Sequence, residues 1–117
     1  MHIRNVFLLL LLLVLSACAS GPRFSGQSVA DSRLRADTTV FIIGPTLATT
    51  NCKQVDSIQT SIISVDKDLQ GNSAGKIVKG DTLERWVATA CGKTASFLVT
   101  YHPDGQGGSF LVVHQEK

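Results

Sequence analysis

The sequence predicts a mainly β fold, a small antiparallel sheet of four to five strands arranged as a meander or a small sandwich. Residues 83–101 alternate between apolar and polar side chains on both sides of a glycine-containing turn, which is typical of a β-hairpin. Three further runs, at residues 39–44, 55–65 and 109–114, are rich in β-branched and aromatic residues. An α+β fold with one short helix remains the alternative.

The hairpin prediction depends on the turn at Gly92-Lys93, because glycine in the first central position suits a type II′ turn. Pairing Cys91 with Thr94 then fixes the register, with Trp86 opposite Val99. One face of the ribbon becomes apolar, and its members are Trp86, Ala88, Ala90, Ala95, Phe97, Val99 and Tyr101. We expect this face to form the core.

The remaining strands are predicted from composition and from the residues that bound them. Residues 39–44, TVFIIG, stop before Pro45 and are expected to form a strand. Residues 109–114, SFLVVH, follow the loop 102–108, HPDGQGG, in which Pro-Asp-Gly favours a turn.

Residues 55–65 allow two interpretations. Val55, Ile58, Ile62 and Val65 have helical spacing, and Asn51 with Gln54 resembles a helix-capping pair. Valine, isoleucine and threonine dominate the segment, however, and they are poorer helix formers than straight-chain residues. We favour a strand here, with a short helix as the alternative.

The N-terminus has the features of an export signal. His2 and Arg4 precede an apolar run of ten residues, at positions 6–15, and two small residues follow at 16 and 17. A helix that spans a bilayer needs about 20 apolar residues, whereas a run of ten matches the hydrophobic region of a signal peptide.

The residues Leu15-Ser16-Ala17-Cys18 resemble the lipobox of bacterial lipoprotein precursors. This resemblance implies cleavage before Cys18, a diacylglycerol on its thiol and a fatty acid such as palmitate on its amine. Several acyl chains would hold the chain firmly on a membrane. Ala19 stands where an aspartate would imply retention at the inner membrane, so the resemblance implies the outer membrane, facing the periplasm, in a Gram-negative cell.

The C-terminal third resembles a pattern found in small bacterial lipoproteins to which no activity is attached. The matching stretches are Glu84-Arg85-Trp86, Ala90-Cys91-Gly92-Lys93 and residues 104–110, DGQGGSF. The resemblance therefore implies an exported lipoprotein and nothing narrower.

These observations divide the chain into three parts. Residues 1–17 are the predicted signal peptide, residues 18–37 a lipidated, flexible tether, and residues 38–117 one small β-domain. The tether is expected from its small, polar composition. After removal of Arg4 with the signal, 10 Lys and Arg remain against 9 Asp and Glu, a balance that gives no basis for nucleic-acid binding.

Cys52 and Cys91 are the pair left after Cys18 and are expected to form a disulfide in an oxidising compartment. A loop of about 40 residues closed in this way contributes about 4 kcal/mol in the chain-entropy model. A metal site is the alternative, but the spacing lacks the short Cys-x-x-Cys pattern of zinc sites.

Residues 71–76, GNSAGK, satisfy the pattern G-x-S-x-G of hydrolases that use a nucleophilic serine, which would be Ser73. That turn belongs to a large α/β domain, and the mature chain of 100 residues is too short for one. The phosphate-loop pattern also fails, because Ile77 follows Lys76 where serine or threonine is required. We therefore interpret GNSAGK as a turn.

Other candidate groups are weaker. His102 and His114, with Asp104 between them, would suit proton transfer or metal binding, but each lies at a strand end where polar residues are common. The loop after His102 offers one carboxylate, whereas calcium requires six to eight oxygen ligands. We expect no catalytic residue, no metal and no cofactor.

Three functions follow as hypotheses. The first is a non-enzymatic envelope lipoprotein that binds another envelope component, most simply a protein. The second is an inhibitor or immunity lipoprotein that blocks a cell-wall-degrading enzyme with the loop 102–108. The third, the least favoured, is a small serine hydrolase that uses Ser73.

Overall fold

The computed structural model describes residues 21–117. The predicted signal peptide, Cys18 and Ala19 lie outside the described residues. The elements in chain order are β1 (Arg23–Gly26), α1 (Ser32–Thr50), β2 (Ser57–Val65), β3 (Gln70–Gly71), β4 (Ile77–Lys79), β5 (Thr82–Ala90), β6 (Lys93–Pro103) and β7 (Ser109–Gln115).

The fold is mainly β, as predicted, with one helix packed on one face of a five-stranded sheet. The strand order is β1-β2-β5-β6-β7, and β3 pairs with β4 in a separate two-stranded hairpin. All pairs are antiparallel except β1 and β2. The sheet is therefore mixed, because α1 is a crossover connection that returns the chain in the same direction. Within residues 21–117, no helix is long and apolar enough to cross a bilayer.

The predicted apolar face of the hairpin is confirmed as the core. Its seven members are buried, and all except Ala90 belong to one core cluster with Ile42 of α1 and Ile58 of β2. The sheet face opposite α1 is more exposed, as is common for one face of an antiparallel sheet.

The predicted hairpin register was wrong by two residues. Ala90 pairs with Lys93 and Trp86 pairs with Phe97. The two-residue turn is Cys91-Gly92, and both residues have positive φ, at 53° and 71°, which is the pattern of a type I′ turn. A shift of two residues keeps every side chain on the same face of the sheet, so the predicted core residues are correct although the predicted pairs are not.

The strand predicted at residues 39–44 is wrong, because this segment lies inside α1. Asp31 caps the helix by accepting a hydrogen bond from the Leu34 amide. Threonine hydroxyls along the helix donate to carbonyls four residues earlier, as Thr46 does to Ile42. Pro45 lies within the helix and cannot donate a hydrogen bond to the carbonyl of Phe41, four residues earlier. Both residues are on the exposed side of the helix, where water can bond to that carbonyl.

The tether predicted at residues 18–37 is corrected for its described part. Residues 23–26 form β1, residues 28–30 approach the core and α1 begins at Ser32. Gly26 has φ of 91°, and a Cβ there would overlap the carbonyl oxygen of Thr60. The amide of Gln27 donates to that same oxygen at 3.2 Å. Glycine is therefore needed where β1 approaches β2, and the folded part begins well before residue 38.

The strand favoured for residues 55–65 is confirmed as β2. The short helix considered there is wrong, and the helix of the fold instead ends immediately before it. Asn51 has φ of 52° and donates its amide to the Leu47 carbonyl, so it terminates α1 rather than starting a helix. The predicted strand at residues 109–114 is also confirmed, as β7.

Candidate functional site at the loop end of the sheet

The strands define two ends of the domain. At the loop end lie the connection 27–31, the β3–β4 hairpin and the β6–β7 loop, residues 104–108. At the opposite end, here named the cysteine end, lie the start of β1, the end of α1 and the Cys91-Gly92 turn. The disulfide Cys52–Cys91 joins the last two, with 5.9 Å between the Cα atoms.

The GNSAGK segment is a turn between β3 and β4, and it contacts the start of α1. Lys76 Nζ lies 3.3 Å from Asp31 Oδ2, while Asp31 Oδ1 accepts the capping hydrogen bond from Leu34 at 2.8 Å. The hydrogen bond from the Leu34 amide lowers the pKa of Asp31, and the hydrogen bond from Lys76 lowers it further. Asp31 therefore links the hairpin to the helix as a carboxylate.

The β6–β7 loop is held by its own first residue. Asp104 Oδ1 accepts hydrogen bonds from the Gln106 amide at 2.7 Å and from the Gly108 amide at 3.1 Å. The Asp104 amide donates to the Gly108 carbonyl at 3.0 Å. The carboxylate thus orders the loop backbone, and the loop has a defined shape despite its three glycines.

A groove of about 450 Å³ separates this loop from the first turns of α1. Its lining includes three aspartates and two cations, which are Asp31, Asp37, Asp104, Arg33 and Lys76. Small-molecule sites are mostly apolar with a few polar groups. The mixed charges of this groove are instead suited to contact with a polar, charged surface rather than with a small apolar molecule.

The outer face of α1 continues from this groove and carries two large exposed apolar side chains beyond Asp37. Val40 is 72% exposed and Phe41 is 56% exposed, and they lie one helical turn beyond Asp37. The inner face carries buried threonines, among them Thr38 and Thr46. The helix therefore buries hydroxyls beside the apolar Ile42 and exposes two large apolar side chains, which is unusual for a surface helix.

A cavity of about 30 Å³ lies between α1 and the β3–β4 hairpin, and Thr82 and Tyr101 contribute to its lining. The Thr82 hydroxyl is buried and has no hydrogen-bond partner within the described residues. A volume of this size holds one or two water molecules. The cavity is therefore too small for an organic ligand.

The residue that sequence reasoning missed is Glu84, which is fully buried. Its carboxylate accepts hydrogen bonds from Ser28 Oγ at 2.7 Å, the Val29 amide at 2.8 Å and Trp86 Nε1 at 3.0 Å. Glu84 thereby holds the connection 27–31 on the sheet. A signal was present, because Glu84 has the same position in the alternation as Trp86 and so had to face the core.

A second buried contact fixes α1 near the same end. Tyr101 Oη and Thr38 Oγ1 lie 2.7 Å apart, and Thr38 Oγ1 also donates to the Leu34 carbonyl. Because threonine has one hydroxyl hydrogen, the tyrosine is the donor in this pair. Burial raises the pKa of Tyr101.

The two histidines considered for chemistry are not brought together. His102 Nδ1 lies 2.9 Å from Asp81 Oδ2 at the loop end. His114 is paired opposite Leu98, four residues along β6, a separation of about 13 Å at the rise of a strand. Among residues 21–117, no group of three or more His, Cys, Asp and Glu side chains is placed to hold a metal ion.

Comparisons with protein-family models, curated protein sequences and solved structures found no match.

Proposed function

We propose that this protein is a lipoprotein of the cell envelope that binds another envelope protein and catalyses no reaction. Cys18 carries the lipid, and in a Gram-negative cell the protein sits on the outer membrane, facing the periplasm. The observation that carries the binding role is the pair Val40 and Phe41, exposed beside a charged groove.

An apolar centre with a polar rim is the usual anatomy of a protein interface. Val40 and Phe41 supply the apolar part, and the charged groups of the groove supply the rim. Exposed aromatic side chains are frequent contributors of binding energy in such interfaces. The combination favours a protein partner over a small molecule.

The loops around the groove are also ordered before any partner arrives. Asp104 holds the β6–β7 loop, and the Asn72 side chain holds the β3–β4 turn, each by accepting backbone hydrogen bonds. Ordering side chains and loops costs free energy when it happens on binding, so loops that are already ordered bind more tightly. This arrangement supports a binding role for the loop end.

The serine hydrolase remains the least favoured function. Ser73 lies exposed in a turn, and the neighbouring Asn72 side chain accepts hydrogen bonds from the Ala74 and Lys76 amides. The hydrolase elbow requires a strand, a sharp turn and then a helix, whereas the strand β4 follows here. We propose no cofactor.

The anchor is tested by metabolic labelling with a palmitate analogue. The wild-type chain should be labelled and Cys18→Ser should not. The double variant Cys52→Ser/Cys91→Ser is the matched control and should keep its label. Equal labelling of wild type and Cys18→Ser would contradict the lipoprotein assignment.

The binding surface is tested by capture of partners from detergent-solubilised envelopes. Phe41→Ser should lose a stoichiometric partner that wild type retains. Phe110→Ser is the matched control, because Phe110 is 69% exposed on β7 and alternates with the core-facing Leu111, so its side chain lies on the sheet face opposite α1. If both variants, or neither, lose the partner, the proposed surface is wrong.

A second candidate is an inhibitor or immunity lipoprotein, favoured by the ordered, exposed loop 104–108. An inhibitory loop that is held in shape by its own hydrogen bonds pays less entropy on entering an active site. Capture of a muramidase or an amidase, and its inhibition by the wild-type chain but not by Asp104→Ala, would favour this candidate. Inhibition by neither protein would exclude it for that enzyme.

A further inference from the structure

The cysteine end of the domain carries an excess of positive charge. Arg23 begins β1, Lys53 follows α1, Lys93 follows the Cys91-Gly92 turn, and Lys117 follows β7. All four are exposed. Within residues 21–117, none of the four forms an ion pair, and the carboxylates at this end belong to Asp56 and Glu116. Glu116 is already engaged by Arg85 at 2.8 Å.

The loop end has the opposite character. Lys76 and Lys79 are each paired with an aspartate, at 3.3 Å and 3.2 Å. Further aspartates lie at 66, 81 and 104, close to the same loops. Arg33 and Lys67 add cations at the loop end, but aspartates outnumber the cations there, whereas cations outnumber carboxylates at the cysteine end.

The position of β1 brings the basic end close to the predicted lipid. Arg23 is the first residue of β1 and lies five residues after Cys18. Five residues span at most about 18 Å when fully extended. Because the segment after Arg23 belongs to the fold, this short connection replaces the 20-residue tether that composition predicts.

We propose that the cysteine end of the domain rests on an anionic phospholipid surface, through Arg23, Lys53 and Lys93, with the loop end directed away from the membrane. The connection from Cys18 holds these cations within a few Debye lengths of the head groups, the Debye length being about 8 Å in physiological salt. The inference rests on the proposed function for its anchor. The proposed orientation also adds to that function, because it leaves the groove and Phe41 away from the bilayer and accessible to a protein partner.

The positive charge of the cysteine end is the reason for proposing an anionic membrane as its binding surface. Each lysine or arginine near an anionic bilayer strengthens binding by about fivefold, and this contribution weakens as salt rises. Three such residues together correspond to an effect on the order of 100-fold. Asp56, together with the Glu116 carboxylate that Arg85 already pairs, reduces this attraction without reversing it.

The surface is tested first without the lipid, in the full mature chain carrying Cys18→Ser. Its binding to vesicles of phosphatidylcholine is compared with binding to vesicles that also contain phosphatidylglycerol. We expect salt-sensitive binding to the anionic vesicles. The affinity should fall on the order of 100-fold in the variant Arg23→Gln/Lys53→Gln/Lys93→Gln. The control Arg33→Gln/Lys67→Gln/Lys79→Gln removes the same charge elsewhere and should bind like the parent chain.

The outcomes separate this inference from the anchor. Equal losses in the two triple variants would show attraction by net charge alone and overturn the inference, as would equal binding to both kinds of vesicle. Absent palmitate labelling with intact, site-dependent vesicle binding would overturn the anchor and leave the basic surface standing.

The orientation is tested with the lipidated chain in anionic vesicles that carry a head-group quencher. A fluorescent amino acid replaces Gln54, exposed at the cysteine end, or Gln106, exposed at the loop end. We expect strong quenching at position 54 and weak quenching at position 106, with the contrast reduced in the triple variant of the basic end. Equal quenching at the two positions would overturn the inference.

Discussion

The indole Nε1 of Trp86 donates a hydrogen bond of 3.0 Å to the carboxylate of Glu84, and both side chains are fully buried. The two residues are two positions apart in β5 and therefore lie on the same face, so the strand directs both into the core. The same carboxylate binds Ser28 and Val29. It therefore fastens the chain segment that leads from β1 into α1.

Glu84→Gln should lower the free energy of unfolding by about 1–3 kcal/mol. Glutamine replaces one acceptor oxygen with an NH₂ donor, so at least one of the three donors that face residue 84 loses its partner. The measurement is the midpoint of urea unfolding. The control Glu116→Gln removes a half-buried carboxylate at the surface and should cost less, and an equal loss in both variants would contradict the role of Glu84.

Gly26→Ala should destabilise the fold by about 1–3 kcal/mol, because the residue has positive φ and an added Cβ meets the Thr60 carbonyl. Ser25→Ala, in the same strand but exposed, is the control and should change stability by less than about 0.5 kcal/mol. Thermal unfolding of the two variants provides the comparison. If Gly26→Ala melts with wild type, β1 does not contribute to the stability of the domain.

Reduction of the Cys52–Cys91 disulfide should lower the melting temperature markedly. The bond closes a loop with a sequence separation of 39, worth up to about 4 kcal/mol in the chain-entropy model. Thiol titration of freshly isolated, unfolded protein should find neither cysteine free. Two titratable thiols, or a melting temperature unchanged by reductant, would count against this prediction.

Acid should remove the contribution of the Asp31 charge. Its pKa is lowered in the folded state, so the stabilisation is fully present above the unfolded value of about 3.9 and is lost as pH falls through the folded value. Asp31→Asn keeps a capping side chain but no charge. It should be less stable than wild type at neutral pH, and the two proteins should converge in strong acid.

Asp31→Ala tests the cap itself. It should cost about 0.5–2 kcal/mol at neutral pH, because alanine leaves the Leu34 amide without its acceptor. Urea unfolding at several pH values separates the stabilisation by the capping hydrogen bond from the stabilisation by the charge. A gap between Asp31→Asn and wild type that widens in acid would contradict the assigned sign.

Ser73→Ala should leave stability within about 0.5 kcal/mol of wild type and should leave partner capture unchanged. Asn72→Ala is the informative neighbour, because its side chain accepts hydrogen bonds from the Ala74 and Lys76 amides, both at 3.0 Å. Its loss should cost about 1 kcal/mol. Labelling of wild type by a serine-reactive probe that Ser73→Ala abolishes would revive the hydrolase hypothesis.

The sequence alone determined which side chains form the core of the hairpin and which cysteines pair. Alternation is a local property with a period of two, so Trp86 and Phe97 faced the core whether the turn was placed at Gly92-Lys93 or at Cys91-Gly92. The pairing of Cys52 with Cys91 was predicted by setting aside Cys18 as the expected lipid site, and the structure contains this disulfide. Neither conclusion needed a knowledge of long-range contacts.

Only the tertiary structure decided the secondary structure of residues 39–44 and the residue at which the folded part begins. A short β-branched run suits a strand by propensity, and here a cap at Asp31 and packing of threonines against the sheet overrode that preference. The small residues near Gly26 have the composition of a linker. They belong to the fold because Gly26 allows β1 to approach Thr60, a contact between residues 34 positions apart that no local pattern contains.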